Sequence, residues 1–242
     1  MPLLTGPFLS GQDVFSSSAT QLHKLGTLGW TADGRKFRYV KAGAVDLVVG
    51  NAIQAPAQKT NHHNLTPSAA SIGATTITVT LGATAAVADE YTDGFAFIDT
   101  TPGLGYAYQI TSHPAANASA TLVVTLKRSD AVVVALTTSS RVTLGPNPYR
   151  GVIQAPVTTL TNVVVGVAVY VISDTEFGWI QTGGPAPVLI TGTPAVGVPV
   201  ASPSGTAGAV EVAPDDGTQQ NVGFMMVTGQ SGLVMPVLLT ID

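Results

Sequence analysis

The chain has 242 residues, a formal net charge of -4, and only 10% charged against 45% hydrophobic residues. Soluble domains average about 25% charged residues, and disorder requires low hydrophobicity with high charge, so this composition excludes a disordered chain. The absence of cysteine excludes disulfides, thiolate metal sites and a cysteine nucleophile. A chain of this length can form one large β domain or two smaller ones and bury a substantial core.

The few charges are distributed unevenly along the chain. Residues 1–60 hold six basic and three acidic residues, whereas residues 151–242 hold six acidic residues and no lysine or arginine. This polarity is too weak for a nucleic-acid-binding surface, which normally shows clustered Lys and Arg on a basic domain. A surface with so few charges predicts that residues 151–242 are largely covered, most simply by other subunits.

Residues 1–24 are predicted to form an extended N-terminal arm. Glycine and proline at positions 2, 6, 7 and 11 disfavour regular structure there, and residues 13–22 could form at most a short helix. The arm is either disordered or docked on a neighbour. Its apolar side chains favour docking, because they would otherwise be exposed; they are Leu3, Leu4, Phe8, Leu9, Val14 and Phe15.

From residue 35 onward the hydrophobic pattern has a period of two, which is typical of β-strands. In KFRYV, Phe37 and Tyr39 are predicted on one face, with Lys36, Arg38 and Val40 on the other. Short alternating runs separated by Gly, Pro, Asn and Asp continue to residue 242. The predicted fold is therefore all-β: a short-stranded sandwich or barrel body, an extended N-terminal arm and an inserted β lobe.

One internal echo bears on the domain boundaries. AIQAP at residues 52–56 recurs as VIQAP at residues 152–156. Either this is coincidence in a low-complexity chain, or the two segments lie side by side and the chain between them is inserted. The second interpretation gives an arm at 1–24, a β body at 25–56 with 151–242, and a lobe at 57–150, entered through residues 59–67.

Two prolines in strand-like runs carry a further expectation. Pro199 and Pro236 are predicted to mark sheet edges or bulges, because proline cannot donate to a ladder.

The sequence offers no constellation that predicts catalysis, a metal or a cofactor. His62 and His63 are the most plausible metal ligands, but no third ligand is suggested by spacing, and we interpret them as solvated loop residues. Paired carboxylates occur as Asp89/Glu90 with Asp93 and as Asp174 with Glu176, settings that turns on β surfaces produce often. Trp179 could stack on a sugar but is more simply a strand residue in the core. We therefore expect a protein that is not an enzyme.

No segment is predicted to direct the chain into a membrane. The N-terminus lacks the basic and continuous apolar regions of a secretory signal. The longest apolar run, VVVGVAVYVI at residues 163–172, is shorter than the about 20 residues that a spanning helix needs. The expected product is made in the cytoplasm and has no membrane anchor.

Two segments resemble the capsid decoration, or cement, proteins of tailed bacteriophages. LGTLGWTADGRKFRYVKAGA (residues 25–44) is similar to a strand–turn–strand segment that follows a short arm in many phage head proteins. EFGWIQTGGPAPVLITG (residues 176–192), continuing to GTAGAVEVA (residues 205–213), is similar to the C-terminal β region of the same group. The resemblance carries no catalytic motif; in the matched segments glycines are expected to hold turns, and Phe37, Tyr39 and Trp179 the core.

The resemblance implies a virion protein that binds the outer surface of the assembled capsid and bridges major capsid subunits, commonly as a homotrimer. Its expected partners are the major capsid protein and further copies of itself, with no nucleic acid and no membrane. The alternative is a tail or fibre component that binds a host glycan. The predicted capsid contacts lie in the arm and the first basic strand: Leu3, Leu4, Phe8, Leu9, Phe15, Arg35, Lys36, Arg38 and Lys41.

Overall fold

The computed structural model describes residues 6–242, and these are nearly all β, which confirms the predicted fold class. One short α-helix and two 3-10 turns accompany the strands: α1 (Gly11–Val14), Thr60–His62 and Arg128–Asp130. The strands are β1 (Ser17–Ser18), β2 (Leu28–Trp30), β3 (Lys36–Ala42), β4 (Ala52–Gln54), β5 (Thr76–Thr80), β6 (Phe95–Ile98), β7 (Ala107–Ser112), β8 (Thr121–Leu126), β9 (Val142–Gly145), β10 (Arg150–Gln154), β11 (Val164–Ala168), β12 (Phe177–Leu189), β13 (Pro199–Ser202), β14 (Glu211–Val212), β15 (Gln220–Met225) and β16 (Val234–Thr240).

The chain divides into two compact units. The body unit contains the described residues up to Ala57 together with Pro148–Asp242, and the lobe unit is Gln58–Asn147. The sequence expectation for the lobe was residues 57–150.

The body unit is built on a closed barrel of five strands. β3 pairs with β12, β12 with β11, β11 with β4, β4 with β10, and β10 returns to β3. Small and β-branched side chains fill the interior, as the limited space inside a five-stranded barrel demands. These core residues are Val40, Ala42, Leu47, Ile53, Ala55, Val152, Val165, Ala168, Ile172 and Ile180.

The echoed segments are neighbours in this barrel. β4 and β10 pair antiparallel, with Ile153 opposite Gln54 and Gln154 opposite Ile53. The expectation that the two copies lie side by side is confirmed. The chain therefore leaves the barrel at β4 and returns in the adjacent strand, with the lobe unit between them.

β12 is long enough to pair both in the barrel and in a second, C-terminal sheet. Its first half, up to Gly183, pairs with β3 in the barrel, and its second half, from Gly183 onward through Gly184 (φ +82°), pairs with β16. β15, β13 and β14 follow in order and form the C-terminal sheet with β16 and that second half. The inward side chains of this sheet pack with residues of β4 and β11 and with Ala155 into a second core: Ala52, Ala155, Val164, Val167, Ala186, Val188, Ile190, Val200, Val210, Val222, Met225, Val237 and Leu239.

Of the two predictions for prolines in the C-terminal sheet, the one for Pro199 is confirmed and the one for Pro236 is wrong. Pro199 is the first residue of β13, beside a register shift at Val200, as predicted. Pro236 was expected at an edge or bulge, and this is wrong, because β16 lies between β12 and β15. Pro236 lies opposite Pro187 of β12. On the other side of β16, the Pro236 carbonyl accepts a hydrogen bond from the Met226 amide, just past the end of β15. Pro236 has no N–H to donate, and it lies just past the last residue pair of the β15–β16 ladder, where such a donor is not needed.

The lobe unit has its own sheet and core. Its strands follow the order β5-β8-β7-β6-β9, and the segment around residues 65–67 joins the two end strands, with Leu65 bridged to Val142 and Pro67 to Val79. Alternating side chains of all five strands point into one buried cluster, which includes Ile77, Leu122 and Tyr91.

Candidate functional site

The described part of the arm, residues 6–24, packs on the barrel of its own chain; we call it the N-terminal segment. Leu9 and Val14 are buried and share a cluster with Phe37, Tyr39 and Trp179. The Leu9 amide donates to the Trp30 carbonyl at 2.6 Å, and β1 pairs with β12. The segment fits closely, because a Cβ on Gly29 would lie 2.5 Å from a methyl carbon of Leu9.

The other side of the N-terminal segment presents large apolar groups to solvent. Phe8 is 73% exposed, Leu22 68% and Phe15 49%. Of the predicted capsid contacts in the arm, Phe8 and Phe15 are thus accessible and Leu9 is not. Leu3 and Leu4 lie outside the described residues. The sequence reasoning missed Leu22, although the same signal, an apolar side chain in the arm, was available for it.

The four predicted basic contacts are half-buried and engaged within the chain. Lys36 and Lys41 lie 5.4 Å from the ring centroids of Trp30 and Phe177, respectively. The Arg35 Nε pairs with an Asp33 carboxylate oxygen at 2.8 Å. These contacts hold the basic side chains against the surface of the body unit. A partner that binds these side chains has to replace their contacts within the chain.

Arg38 makes the most extensive of these contacts. Its Nε lies 2.7 Å from an Asp242 carboxylate oxygen, with both side chains about a quarter exposed, and its Nη1 donates to the Gly26 carbonyl at 2.8 Å. The Lys36 Nζ donates to the Asp242 carbonyl at 3.1 Å. Burial alone would raise the pKa of the Asp242 carboxyl, but the hydrogen bond and charge of Arg38 outweigh it and hold that pKa below its usual value.

The lowered pKa of Asp242 gives a pH-dependent prediction. A carboxyl with a depressed pKa in the folded state stabilises above its unfolded pKa, about 3.9, and loses this as the pH falls through the folded value. We expect Asp242→Asn to lower the free energy of unfolding by at most about 1 kcal/mol near pH 7, because the pair is partly exposed. The difference from wild type should shrink below about pH 4, as measured by urea unfolding at several pH values.

Arg38→Gln is the matched control for this experiment. In that background Asp242→Asn should change stability little at any pH, because the ion pair is already lost. A full effect of Asp242→Asn without Arg38 would contradict the assigned pair.

The C-terminal sheet carries an apolar outer face. Pro199, Phe224, Leu238 and Pro185 lie directly opposite one another across β13, β15, β16 and β12, and Pro236 opposite Pro187 forms the next row. Phe224 is 40% and Leu238 42% exposed. We call these six residues the apolar sheet face; it contains no charged side chain. Contiguous exposed apolar patches of a few hundred Å² commonly mark interaction sites.

Three of the acidic residues considered for catalysis, Glu176, Glu90 and Asp89, have structural partners. Glu176 accepts a hydrogen bond from the Ser17 hydroxyl at 2.5 Å, and Glu90 pairs with Lys59 at 2.7 Å. An Asp89 carboxylate oxygen accepts from the His113 amide at 3.1 Å. Among residues 6–242, no cluster of three or more His, Cys, Asp or Glu side chains could hold a metal. These contacts fix loops and the edge of the N-terminal segment.

The interpretation of His62 as a solvated loop residue is wrong. His62 is fully buried, its Nε2–H donates to the Thr84 carbonyl at 2.8 Å, and its Nδ1 accepts from the Tyr91 hydroxyl at 2.5 Å. The Tyr91 amide in turn donates to Nε2 of buried His113 at 2.9 Å. The adjacent His63 is half-exposed, so only one of the two neighbouring histidines is buried. This network satisfies polar groups inside the lobe unit.

The tryptophan considered for sugar stacking lies in the core, as the simpler interpretation predicted. Trp179 is 4% exposed and packs edge-on against Tyr39, with ring centroids 5.0 Å apart. A pocket of only about 70 Å³ lies beside it, under the N-terminal segment, and includes Asp13 and His23 in its wall. Its size suits a few waters rather than a sugar ring.

Comparison with known proteins does not place the chain in a family. No family model, no curated protein and no solved structure matches it. Within residues 6–242, every helix is too short or too polar to cross a bilayer.

Proposed function

We propose that the chain is a structural protein of a tailed-phage virion, which binds the outside of the assembled capsid and stabilises it by bridging major capsid subunits. The observation that carries the proposal is the N-terminal segment, held to the barrel by Leu9 and Val14 with three apolar side chains turned outward. The likeness of residues 25–44 and 176–213 to phage decoration proteins supports the same function.

The outward residues suit a preformed attachment surface. Because the segment is already ordered by buried contacts, a partner binding Phe8, Phe15 and Leu22 does not bear the entropy cost of ordering it. A protein that binds only the assembled lattice stabilises it by mass action, by RT ln(1 + [L]/Kd) per site, where [L] is the concentration of the free protein. The role needs no catalytic group, and we propose none.

The apolar sheet face supports self-association as the second part of the proposal. A face without charges meets another copy of itself with no like-charge repulsion and little desolvation of polar groups. Closed cyclic assemblies, of which a homotrimer is the one that the resemblance favours, would cover such faces in every subunit. This also accounts for the absence of lysine and arginine in residues 151–242.

The attachment proposal is tested with undecorated heads of the phage that encodes the chain. We expect wild type to co-sediment with heads and to raise their thermal disruption temperature, and immunogold labelling to cover the head rather than the tail. The triple variant Phe8→Ser/Phe15→Ser/Leu22→Ser should bind at least about tenfold more weakly, since each buried apolar side chain contributes about 1.5–3 kcal/mol.

Ile72→Ser/Leu104→Ser is the control for this test, because these residues are 70% and 61% exposed in the lobe unit and belong to no predicted contact. It should decorate heads like wild type. Unchanged binding by the triple variant would remove the N-terminal segment from the mechanism. Labelling confined to the tail would overturn the capsid proposal in favour of a tail component.

A further inference from the structure

The body unit contains a cleft that the attachment and self-association surfaces do not use. It has a volume of about 340 Å³ and lies between the loop after β10 and the segment that leads into β15. This is within the about 300–1,000 Å³ range of small-molecule sites. Its lining residues are Thr158, Thr159, Leu160, Pro203, Thr218 and Gln219.

Two glutamines fix the walls of this cleft. Gln54 is fully buried; its Nε2 donates to the Thr161 hydroxyl at 2.6 Å and its Oε1 accepts from the Thr161 amide. Gln220 makes the equivalent pair with Val164, with its Oε1 accepting the amide at 2.7 Å and its Nε2 donating to the carbonyl at 2.8 Å. The two walls are thus held before any ligand arrives, which lowers the cost of binding.

The cleft is polar without being charged. The Thr158 hydroxyl donates to the Val157 carbonyl, and the Thr218 hydroxyl donates to Asp216, so each oxygen keeps lone pairs that can accept a hydrogen bond. The Gln219 Oε1 is buried and has no hydrogen-bond partner among the described residues. Thr158 has a φ of +68°, which is unusual for a β-branched residue and recurs at ligand sites.

The residues that line the cleft offer no charged group to an anion or a metal cation. An anion would find no lysine or arginine, because residues 151–242 contain none. A metal cation would find no carboxylate among the lining residues. Hydroxyl and amide groups beside the apolar Leu160 and Pro203 match a neutral ring that carries hydroxyls on its edge and C–H groups on its face.

We propose that this cleft binds a neutral saccharide, with the hydroxyl of Thr159 and the amide nitrogen of Gln219 contacting sugar hydroxyls and Leu160 contacting the ring, over the buried Pro203. The saccharide site is independent of capsid attachment. The two can fail separately, because the cleft lies on different residues from Phe8, Phe15 and Leu22.

The test is amide NMR of the 15N-labelled full chain titrated with glucose, galactose, mannose and N-acetylglucosamine. We expect at least one sugar to shift the amides of residues 158–160 and 218–219 saturably, with a Kd of about 1–10 mM, a range typical of sites with few contacts. Sodium sulfate at the same concentration should leave these amides in place. Thr159→Val/Gln219→Met should raise the Kd at least about tenfold, since two hydrogen bonds of about 1 kcal/mol each are lost.

Thr228→Val/Gln230→Met repeats the same changes at exposed positions outside the cleft and should keep the wild-type Kd. Both variants should retain the amide spectrum of the folded chain, which separates loss of binding from loss of structure. The proposal is overturned if none of the four sugars shifts the cleft amides at 100 mM (about tenfold above the expected Kd range), or if the Thr159/Gln219 variant still binds like wild type.

Discussion

Wild type is expected to sediment as an oligomer, and a chain carrying Phe224→Lys and Leu238→Lys is expected to sediment as a monomer at the same concentration. The two residues face each other on β15 and β16 in the apolar sheet face, and about 40% of each is exposed, so lysine fits without disturbing the core. In an assembled interface the same ammonium groups would be desolvated without a partner. Such uncompensated buried charges cost about 3–5 kcal/mol, which raises a dissociation constant by two orders of magnitude or more.

Val45→Lys is the control for this expectation, because Val45 is 67% exposed in the connection between β3 and β4, away from the apolar sheet face. It should sediment like wild type in analytical ultracentrifugation, and all three chains should show the same circular dichroism. A monomeric wild type would remove self-association from the proposal. An oligomer that survives both lysines would leave self-association standing and place its interface elsewhere.

Trp179→Ala is expected to destabilise the body unit strongly. The indole is 4% exposed, packs against Tyr39 and His23, and lies beside the close approach of Gly29 and Leu9. Large-to-small substitution of a buried aromatic costs about 3–5 kcal/mol. Because the cavity would open directly under the N-terminal segment, we expect urea unfolding at lower denaturant and rapid proteolysis within residues 15–24.

Phe97→Ala serves for comparison, since Phe97 is an aromatic residue that is 43% exposed. It should lower stability by far less and leave the N-terminal segment protected from protease. If Trp179→Ala kept that segment protected, the buried cluster would not be what holds the N-terminal segment in place.

Much of the fold follows from local pattern. Alternation placed Phe37 and Tyr39 in one cluster and Val40 in the barrel interior, on opposite faces of β3. The AIQAP and VIQAP echo identified two strands that pair, although they are about 100 residues apart in the sequence. Successive side chains of a strand point to opposite faces, so alternation of apolar residues predicts the face on which each side chain lies.

Other features depend on tertiary pairing that pattern does not encode. A solvated histidine and one bonded on both ring nitrogens look alike in sequence, so His62 was misjudged. Gly29 and Gly178 were expected in turns but lie within strands, where Leu9 and Ile172 approach too closely for a Cβ. The cleft between Thr159 and Gln219 was not foreseen, because its walls are assembled from threonine and glutamine residues about 60 positions apart.

The pairing of β4 with β10 means that the lobe unit occupies the position of a hairpin loop. Strands joined antiparallel need as few as two connecting residues, and here the connection runs over residues 55–149 and contains the lobe unit. The ends of that connection are brought together by the barrel itself, so the lobe adds no strand to the closed ring and removes none. Loop-closure entropy rises only with the logarithm of length, so an insertion at this point costs the barrel little. The barrel is therefore expected to tolerate a change in the length of this connection without losing any pairing between its strands.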